Sequence, residues 1–384
     1  MADSGDCTFE SIDSIERFET LAAEGWDDLV RGMPRPSPFL LHGWLVAWWR
    51  HEAEGATLAV QVARRGERLV GLLPLCVTRH RGLRVTAFLG GVHSALADLV
   101  VVDTEPQSTA LALAARAADL DHDLADLFGL PVGSRLADAL GETLRLIERV
   151  EAPVLDLSRG WEAVYREKTD SKKRNLHKRR WRQLSELGEL EVVRARSPEE
   201  LGPALDDAIV LHEARWAGRP DGSGFATANG RLFNREALTA LARDDAARIV
   251  TLKLDGRPIA FHYYLVLANR MYVYRLAFDP EFARFSPGLL ATLDALEWAS
   301  EEGLERVEYL GGDERYKLEL SDRLEPLNQG IGLARTSRGR VYVAARLGAI
   351  HARRRLKRSA LLHKLYFDTL APARRFVARI APKR

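Results

Sequence analysis

Cysteine is nearly absent from this 384-residue chain: Cys7 and Cys76 are the only two, far apart in sequence. They cannot supply a disulfide framework or a cysteine metal centre, and they suit a reducing compartment, so a cytoplasmic setting is expected. Histidine forms no HExxH pair and no HxH…Cys spacing, and no metal site is expected. No apolar run is long enough to span a bilayer, and the polar, acidic opening MADSGDCTFESID is no secretory signal. Net charge is small as well, +2 from 56 basic and 54 acidic side chains. That balance conceals a segregation. Residues 346–384 hold twelve lysines and arginines against one acid, Asp368, which leaves the preceding 345 residues with a net of −9.

What is present is enough chain for two cores. In the first half a Ser37-Pro-Phe39 element leads into an aromatic helix with Trp44, Trp48 and Trp49. Two strands follow, 58–64 and 69–77, joined at Arg65-Gly66-Glu67. The second half repeats the order: Ser223-Gly-Phe225, a helix from about residue 230 to 243, then strands 248–254 and 258–267 around Asp255-Gly256-Arg257. The offset between the two sets is close to constant, and it predicts a duplicated α/β domain.

The stretch from Met271 to Lys317 carries the densest set of chemical signals. An alternating aromatic run (271–277) reads as a strand. Ser286, Pro287 and Gly288 then sit where an N-cap and first turn belong, ahead of an apolar-faced helix, and 307–310 reads as a second strand. A strand–helix–strand unit of this kind offers backbone N–H groups at the helix start, here Phe285, Ser286, Gly288 and Leu289, with Arg284 beside them, to an anion. The first-half counterpart, Phe88 to Ala95, runs on into a strand-like segment (98–102), so the complete unit is expected in the second half alone. Gly311-Gly312-Asp313 lies at the C-terminal end of the second strand, where open α/β sheets hold ligands. Asp313 is a candidate base, or else the cap of the next helix; Lys317 is a candidate to hold an anionic group. His262 sits in an apolar strand, as a core residue or a base. Strict alternation puts Tyr274 and Arg275 on opposite faces of the neighbouring strand, so only one of them is expected to reach a cleft. His212 and Trp216, four apart on a helix, share a face as candidate substrate contacts.

These segments resemble a known family. Leu211-His-Glu-Ala-Arg-Trp216, Asp255-Gly-Arg-Pro-Ile-Ala-Phe-His262, Ala277 to Gly288, Gly311-Gly-Asp-Glu-Arg-Tyr-Lys317 and the basic helix after Ser171 look like the GNAT acyltransferases. More narrowly they look like the tandem-GNAT branch known as CelD-like or FemAB-like. The resemblance implies an α/β (mixed α+β) chain of two tandem GNAT-like domains, each a twisted mixed sheet flanked by helices, with a basic C-terminal helical tail. The divisions expected are 1–157, a non-catalytic first domain; 158–345, the domain holding the acyl-CoA and acceptor site; and 346–384, the tail. It also implies an acyl-CoA donor, acetyl-CoA above all, and transfer to an amine or hydroxyl of a small-molecule or cell-envelope-precursor acceptor. The implied residues are Asp313, Tyr316 and His262 for catalysis, with the Tyr316 hydroxyl protonating a departing thiolate. Arg284, Phe285, Ser286, Gly288, Leu289 and Tyr274 fall to the donor, and His212, Trp216, Lys317 and Arg275 to the acceptor. One departure stands out: where GNAT enzymes carry a Q/R-x-x-G-x-G/A loop, Arg284-Phe-Ser-Pro-Gly288-Leu keeps the arginine and a single glycine.

Two basic segments remain. Residues 171–182 read as a serine-capped helix with seven basic side chains in eleven, either a solvated face or a contact for the ADP end of CoA, an acidic substrate or tRNA. Charged tRNA as donor is therefore the alternative to acyl-CoA, and a degenerate GNAT-like binding module is a third reading. The tail alternates basic and apolar residues at helical spacing. Docking on the acidic body is the preferred reading, with peripheral contact to the inner face of the membrane as the other.

Overall fold

The computed structural model describes residues 7–216, 224–312 and 314–358. The first half contains β1 (Cys7–Ile12), α1 (Ile15–Thr20), α2 (Trp26–Arg31), α3 (His42–Glu52), β2 (Thr57–Leu58), β3 (Val60–Arg65), β4 (Arg68–Leu73), β5 (Leu75–His80) and β6 (Leu83–Phe88). It continues with β7 (Val100–Val101), α4 (Gln107–Asp119), β8 (Leu124–Pro131), α5 (Arg135–Leu140) and β9 (Leu144–Val150). The first 157 residues end with β10 (Pro153–Asp156), and the second half opens with α6 (Trp161–Lys168), α7 (Ser171–Ser185), β11 (Leu190–Ala195), α8 (Pro198–Trp216) and α9 (Ala228–Arg243). Next come β12 (Ala247–Leu254), β13 (Arg257–Leu267), β14 (Arg270–Phe278), α10 (Pro287–Glu301), β15 (Arg306–Glu308) and α11 (Arg315–Glu319). The described chain closes with β16 (Arg323–Leu324), β17 (Leu327–Gly332) and α12 (Ser337–Arg358).

Each half is a mixed sheet with helices against it. The second-half sheet runs β11-β12-β13-β14-β15-β10-β16, antiparallel except for the β14–β15 pair. In the first half, β1-β3-β4-β7 and β2-β5-β6-β8-β17-β9 share two strand paths, 57–65 and 68–80, that bend at Ala59 and Pro74. The bend is bridged by hydrogen bonds from the Ala59 N–H to Leu75 O and from the Leu89 N–H to Pro74 O, 3.0 Å each. Here too a single parallel pair occurs, β6 with β8, and α4 lies between them in sequence. The strand–helix–strand unit expected in the second half alone is therefore in both. β8 escaped the sequence reading because Leu-Ala-Asp-Leu-Phe-Gly-Leu-Pro mixes an acid and a glycine into its apolar run.

The repeat has a direct contact. α3 and α9, the two helices matched by the internal repeat, pack face to face. A Cβ on Gly43 would stand 2.6 Å from the Ala240 Cβ, so this position tolerates only a glycine at the present spacing. Trp44 meets Phe233 edge-on in the same seam, with centroids 5.0 Å apart. One hydrophobic core spans it, running from Phe39, Trp44 and Leu45 through Phe233 and Leu238 to Tyr263 and Tyr272.

Two strands cross the boundary drawn at residue 157. β10 leaves the first half to lie beside β15, and β17 leaves the second half to lie between β8 and β9. The two halves thus each finish the other's sheet. At 337–358 the tail helix begins earlier than expected, and it docks by apolar contacts: Tyr342, Val343, Leu347 and Ile350 pack on Leu83, Val85, Leu124, Ile147 and Ile331 of the first-half sheet. Residues 359–384 of the expected tail lie outside the described residues.

A buried ion cluster ties the halves at the last rung of the β14–β15 pair. Glu308 is 0% exposed and accepts from Arg35 of the first half at 2.8 Å and from Arg306 at 2.8 Å, with Arg270 at 3.8 Å. Beside it the Tyr272 hydroxyl donates to Pro36 O. Removing the acid leaves Arg35 and Arg306 to share Glu325 alone in a largely desolvated setting, so Glu308→Ala is expected to lower stability by about 3 kcal/mol. Chemical denaturation reads this directly, and a loss below about 1 kcal/mol, the scale of an exposed pair, would contradict it.

Candidate active site

The parallel ladder between β14 and β15 lasts three residues. Arg270 pairs with Arg306, Met271 with Val307 and Tyr272 with Glu308, and there it stops. Above that point the Tyr309 N–H turns to Pro153 O on β10, 3.0 Å away. Leu310 takes φ +63°, an uncommon conformation for a leucine, and the Gly311 N–H donates back to Tyr309 O. The two strands splay, and a cavity of about 300 Å³ occupies the gap. Its walls are Val273–Leu276 from β14 and Tyr309–Gly311 from β15 and its extension, with His212 from α8 and Glu314 and Lys317 at the start of α11. Val92, His93 and Ala95 from the first half close it.

A β-bulge shapes the β14 wall. Tyr263 faces Arg275 across the ladder and Tyr264 faces Val273, so Tyr274 is the extra residue with no partner on β13. The bulge breaks the two-residue alternation, and Tyr274 and Arg275 both reach the cleft instead of dividing between faces. The Arg275 Nη2 donates to the Tyr274 hydroxyl at 3.2 Å and lies 3.4 Å from His93 Nδ1. The Tyr274 hydroxyl in turn stands 3.3 Å from Asn234 Oδ1, to which it donates. His93 is the site residue that sequence reading missed. It lies in the Gly91–His93 turn of the first half, within the 88–95 counterpart segment, and the glycine pair Gly90-Gly91 ahead of it is the signal that could have found it.

Electrostatically the cleft is held by neutral imidazoles and one compensated lysine. His93 is pushed down to about 4, first by burial and then by Arg275. His212 is also down to about 4, by burial and then by Arg275 and Arg215. Lys317, 6% exposed, donates to Gly311 O at 2.5 Å and pairs with Glu314 at 3.0 Å. The two glycines make this possible, since a Cβ on Gly312 would fall 2.1 Å from Glu314 Oε2. Tyr316 packs near Tyr309, with centroids 6.5 Å apart. Its hydroxyl is buried with no hydrogen-bond partner among the described residues, and burial with Glu314 nearby raises its pKa, so it stays protonated. Among the described residues no group of three or more His, Cys, Asp or Glu is placed to hold a metal ion.

Other expected site residues sit elsewhere. His262 is fully buried on β13, does not line the cavity, and has neither ring nitrogen hydrogen-bonded among the described residues. Burial, with Lys317 adding to it, drops its pKa to about 3, which suits a core imidazole and leaves it a poor base at neutral pH. Asp313 lies outside the described residues, as does the side chain of Trp216 at the end of α8; α11 takes Glu314 as its N-cap residue. The anion loop is reduced. Ser286 adopts φ +52°, makes no side-chain cap bond, and spends its N–H on Ala283 O; the Leu289 N–H goes to Ser286 O. Two of the four amides expected to face an anion are thus engaged within the chain. Phe285 is buried in the core and Arg284 lies exposed with its guanidinium 4.6 Å over the Phe285 ring. Gly288 is needed for packing, because a Cβ there would stand 2.9 Å from Phe278 Cδ1. α7 is capped by Asp170, which accepts from the Lys173 N–H at 2.6 Å, and not by Ser171.

Three of the depressed histidines, His93, His212 and His262, give a pH signature. Each binds its proton less well folded than unfolded, so below pH 6.5, the ordinary imidazole value, the unfolded chain takes up protons that the folded one refuses. Stability is expected to fall as pH drops from about 6.5 toward 4, with the His262 share continuing to about 3. Ring signals of His93 and His262 that stay at their neutral positions from pH 8 to about 5.5 by NMR would bear this out; a midpoint near 6.5 for either would contradict it.

Comparison with known proteins adds a family model and a set of related folds. The model of the acetyltransferase (GNAT) domain matches residues 171–318, from the first residue of α7 into α11. No curated protein matches the chain by sequence. Among solved structures, FemX aligns at a TM-score of 0.56 with 13% identity, over 84% of this chain and 96% of its own. A C-terminal domain assigned to a lysylphosphatidylglycerol synthetase of Agrobacterium fabrum aligns at 0.53 with 14% identity, over 88% of this chain and 96% of its own. A tandem GNAT protein from the clavulanic acid biosynthesis pathway aligns at 0.50 with 12% identity, over 86% of this chain and all of its own. At such identities the likeness is one of fold, and it extends over both halves. Residues 171–318 match the model of the GNAT acetyltransferase domain, and the two halves together share the fold of FemX and of the tandem GNAT protein.

Proposed function

We propose that the chain transfers an acyl group from acyl-CoA, acetyl-CoA being the first donor to test, to an amine or hydroxyl of a small or cell-envelope-precursor acceptor. The observation that carries this reading is the splay of β14 from β15 above Tyr272 and Glu308, with a cavity of about 300 Å³ between them. A thioester arm laid in that gap would extend the ladder where backbone groups of β14 have lost their β15 partner, and preorganised N–H donors of this sort stabilise an oxyanion. Tyr316 supports it too: it does not line the cavity but packs against Tyr309, which does, and its buried phenol keeps the proton that a departing sulfur would take. Glu314 is tied to Lys317, which leaves Asp313, next to Gly312 in sequence, as the candidate to take the proton of an attacking amine. The fit is better for the acyl arm than for a pyrophosphate, since the 284–289 loop retains exposed Arg284 but has two amides engaged.

A second reading, a charged-tRNA donor, is favoured by α7. Lys172, Lys178 and Arg179 are exposed along it and form no ion pair among the described residues, whereas Lys173 is drawn to Glu319 and Arg174 to Thr169 O. Such a free basic face suits a phosphate backbone.

Equilibrium titration separates the two. The first reading expects acetyl-CoA to bind with micromolar affinity, and Tyr316→Phe to lower kcat by roughly 10²- to 10⁴-fold with donor affinity unchanged. Absence of binding at millimolar acetyl-CoA sinks it. Salt-sensitive tRNA binding that disappears in the Lys172→Ala/Lys178→Ala/Arg179→Ala triple variant would move the assignment to the second.

A further inference from the structure

We infer that the acceptor received in this cleft carries a carboxylate, and that Arg275, braced by His93 of the first half, is the residue that holds it. The inference rests on reading the splayed cleft as the transfer site. Its starting point is a charge with no counter-charge in ion-pair distance among the described residues. Other partly or fully buried arginines are matched: Arg248 by Glu302 and Asp245, Arg306 by Glu308 and Glu325, Arg35 by Glu308. Arg275 lines the cavity and has no carboxylate within ion-pair distance among the described residues, and its Nε is buried with no hydrogen-bond partner among them. A guanidinium removed from water without an anion is costly, and a ligand carboxylate offsets that cost with the fork geometry arginine is built for.

The group is also fixed in place before any ligand arrives. Its guanidinium lies over the Tyr274 ring at 4.6 Å and the Phe225 ring at 5.0 Å. Nη2 is spent on the Tyr274 hydroxyl and His93 Nδ1. Gly224 leaves the space, since a Cβ there would fall 2.3 Å from Nη2. His93 braces from the first half, its ring 4.5 Å from Phe233, while Glu52 stands behind it, 3.7 Å from the opposite ring nitrogen, Nε2. The remaining cation of the wall, Lys317, is already answered by Glu314. Among the described residues this leaves one guanidinium of the wall without a carboxylate in ion-pair distance, which a carboxylate monoanion matches and a phosphate dianion would exceed.

The test uses matched small amines on the full chain: β-alanine, its amide, and O-phosphoethanolamine. Binding is read from the ring signals of His93 by NMR, independently of turnover, with acetyl-CoA affinity measured alongside. Expected are a saturable β-alanine shift in the wild type, at least tenfold weaker binding of the amide, and at least tenfold weaker β-alanine binding in Arg275→Met, with Arg275→Lys between. No saturable shift by β-alanine at millimolar concentration overturns the inference. So does equal binding to wild type and Arg275→Met, or equal binding of the amide. O-Phosphoethanolamine binding tenfold more tightly than β-alanine overturns the choice of carboxylate. Arg275-dependent β-alanine binding in a protein that binds no acetyl-CoA would keep the subsite and remove the acyl-CoA reading.

Discussion

Everything above the base of the cleft depends on one carboxylate that has no contact with water. Glu308 sits at the last rung of the β14–β15 ladder, and its charge is tolerable only while arginines from three separate places converge on it. Arg35 comes from the first half, Arg270 from the start of β14, and Arg306 from β15 itself. An ion left in a low-dielectric interior without partners costs several kcal/mol, so the cluster forms as a set or not at all. That requirement does two jobs. It locks the register in which the strands part, and it fastens the first half against the second where the cleft begins.

From there the site is built by departures from regularity. The bulge at Tyr274 brings two neighbouring side chains to one cavity, and the turn at Leu310 carries the chain after β15 away from β14. Neither half owns the result. The cleft has a β14 wall, a β15 wall and a third wall from the 92–95 segment of the first half, so both halves line it.

Much of this order was legible in the chain. The helix and strand repeats, the strand–helix–strand unit and the place of the cleft follow from periodicity and punctuation, which are local properties. What was hidden depends on distant partners. Alternation put Tyr274 and Arg275 on opposite faces, and only pairing with β13 reveals the extra residue. Ser286-Pro287-Gly288 looked like a capped anion loop, yet Ser286 is left-handed with its N–H engaged, and Gly288 answers to Phe278. His262 was a plausible base by residue type; its full burial is set by the layers on either side of β13. His93, from a turn 181 residues before Tyr274, had no local mark beyond the glycines that precede it.

The exchange of β10 and β17 bears on how the molecule comes into being. A nascent chain emerging from the ribosome presents the first half with a gap in its sheet between β8 and β9, and the strand that fills it is not made until residue 332. At ordinary translation speeds of about 5–20 residues per second, the growing polypeptide must keep that open seam for on the order of ten to forty seconds. During that interval unpaired backbone edges invite wrong partners. Completion of this sheet is therefore a late event, in which a strand ending at residue 332 shuts a sheet begun at residue 57.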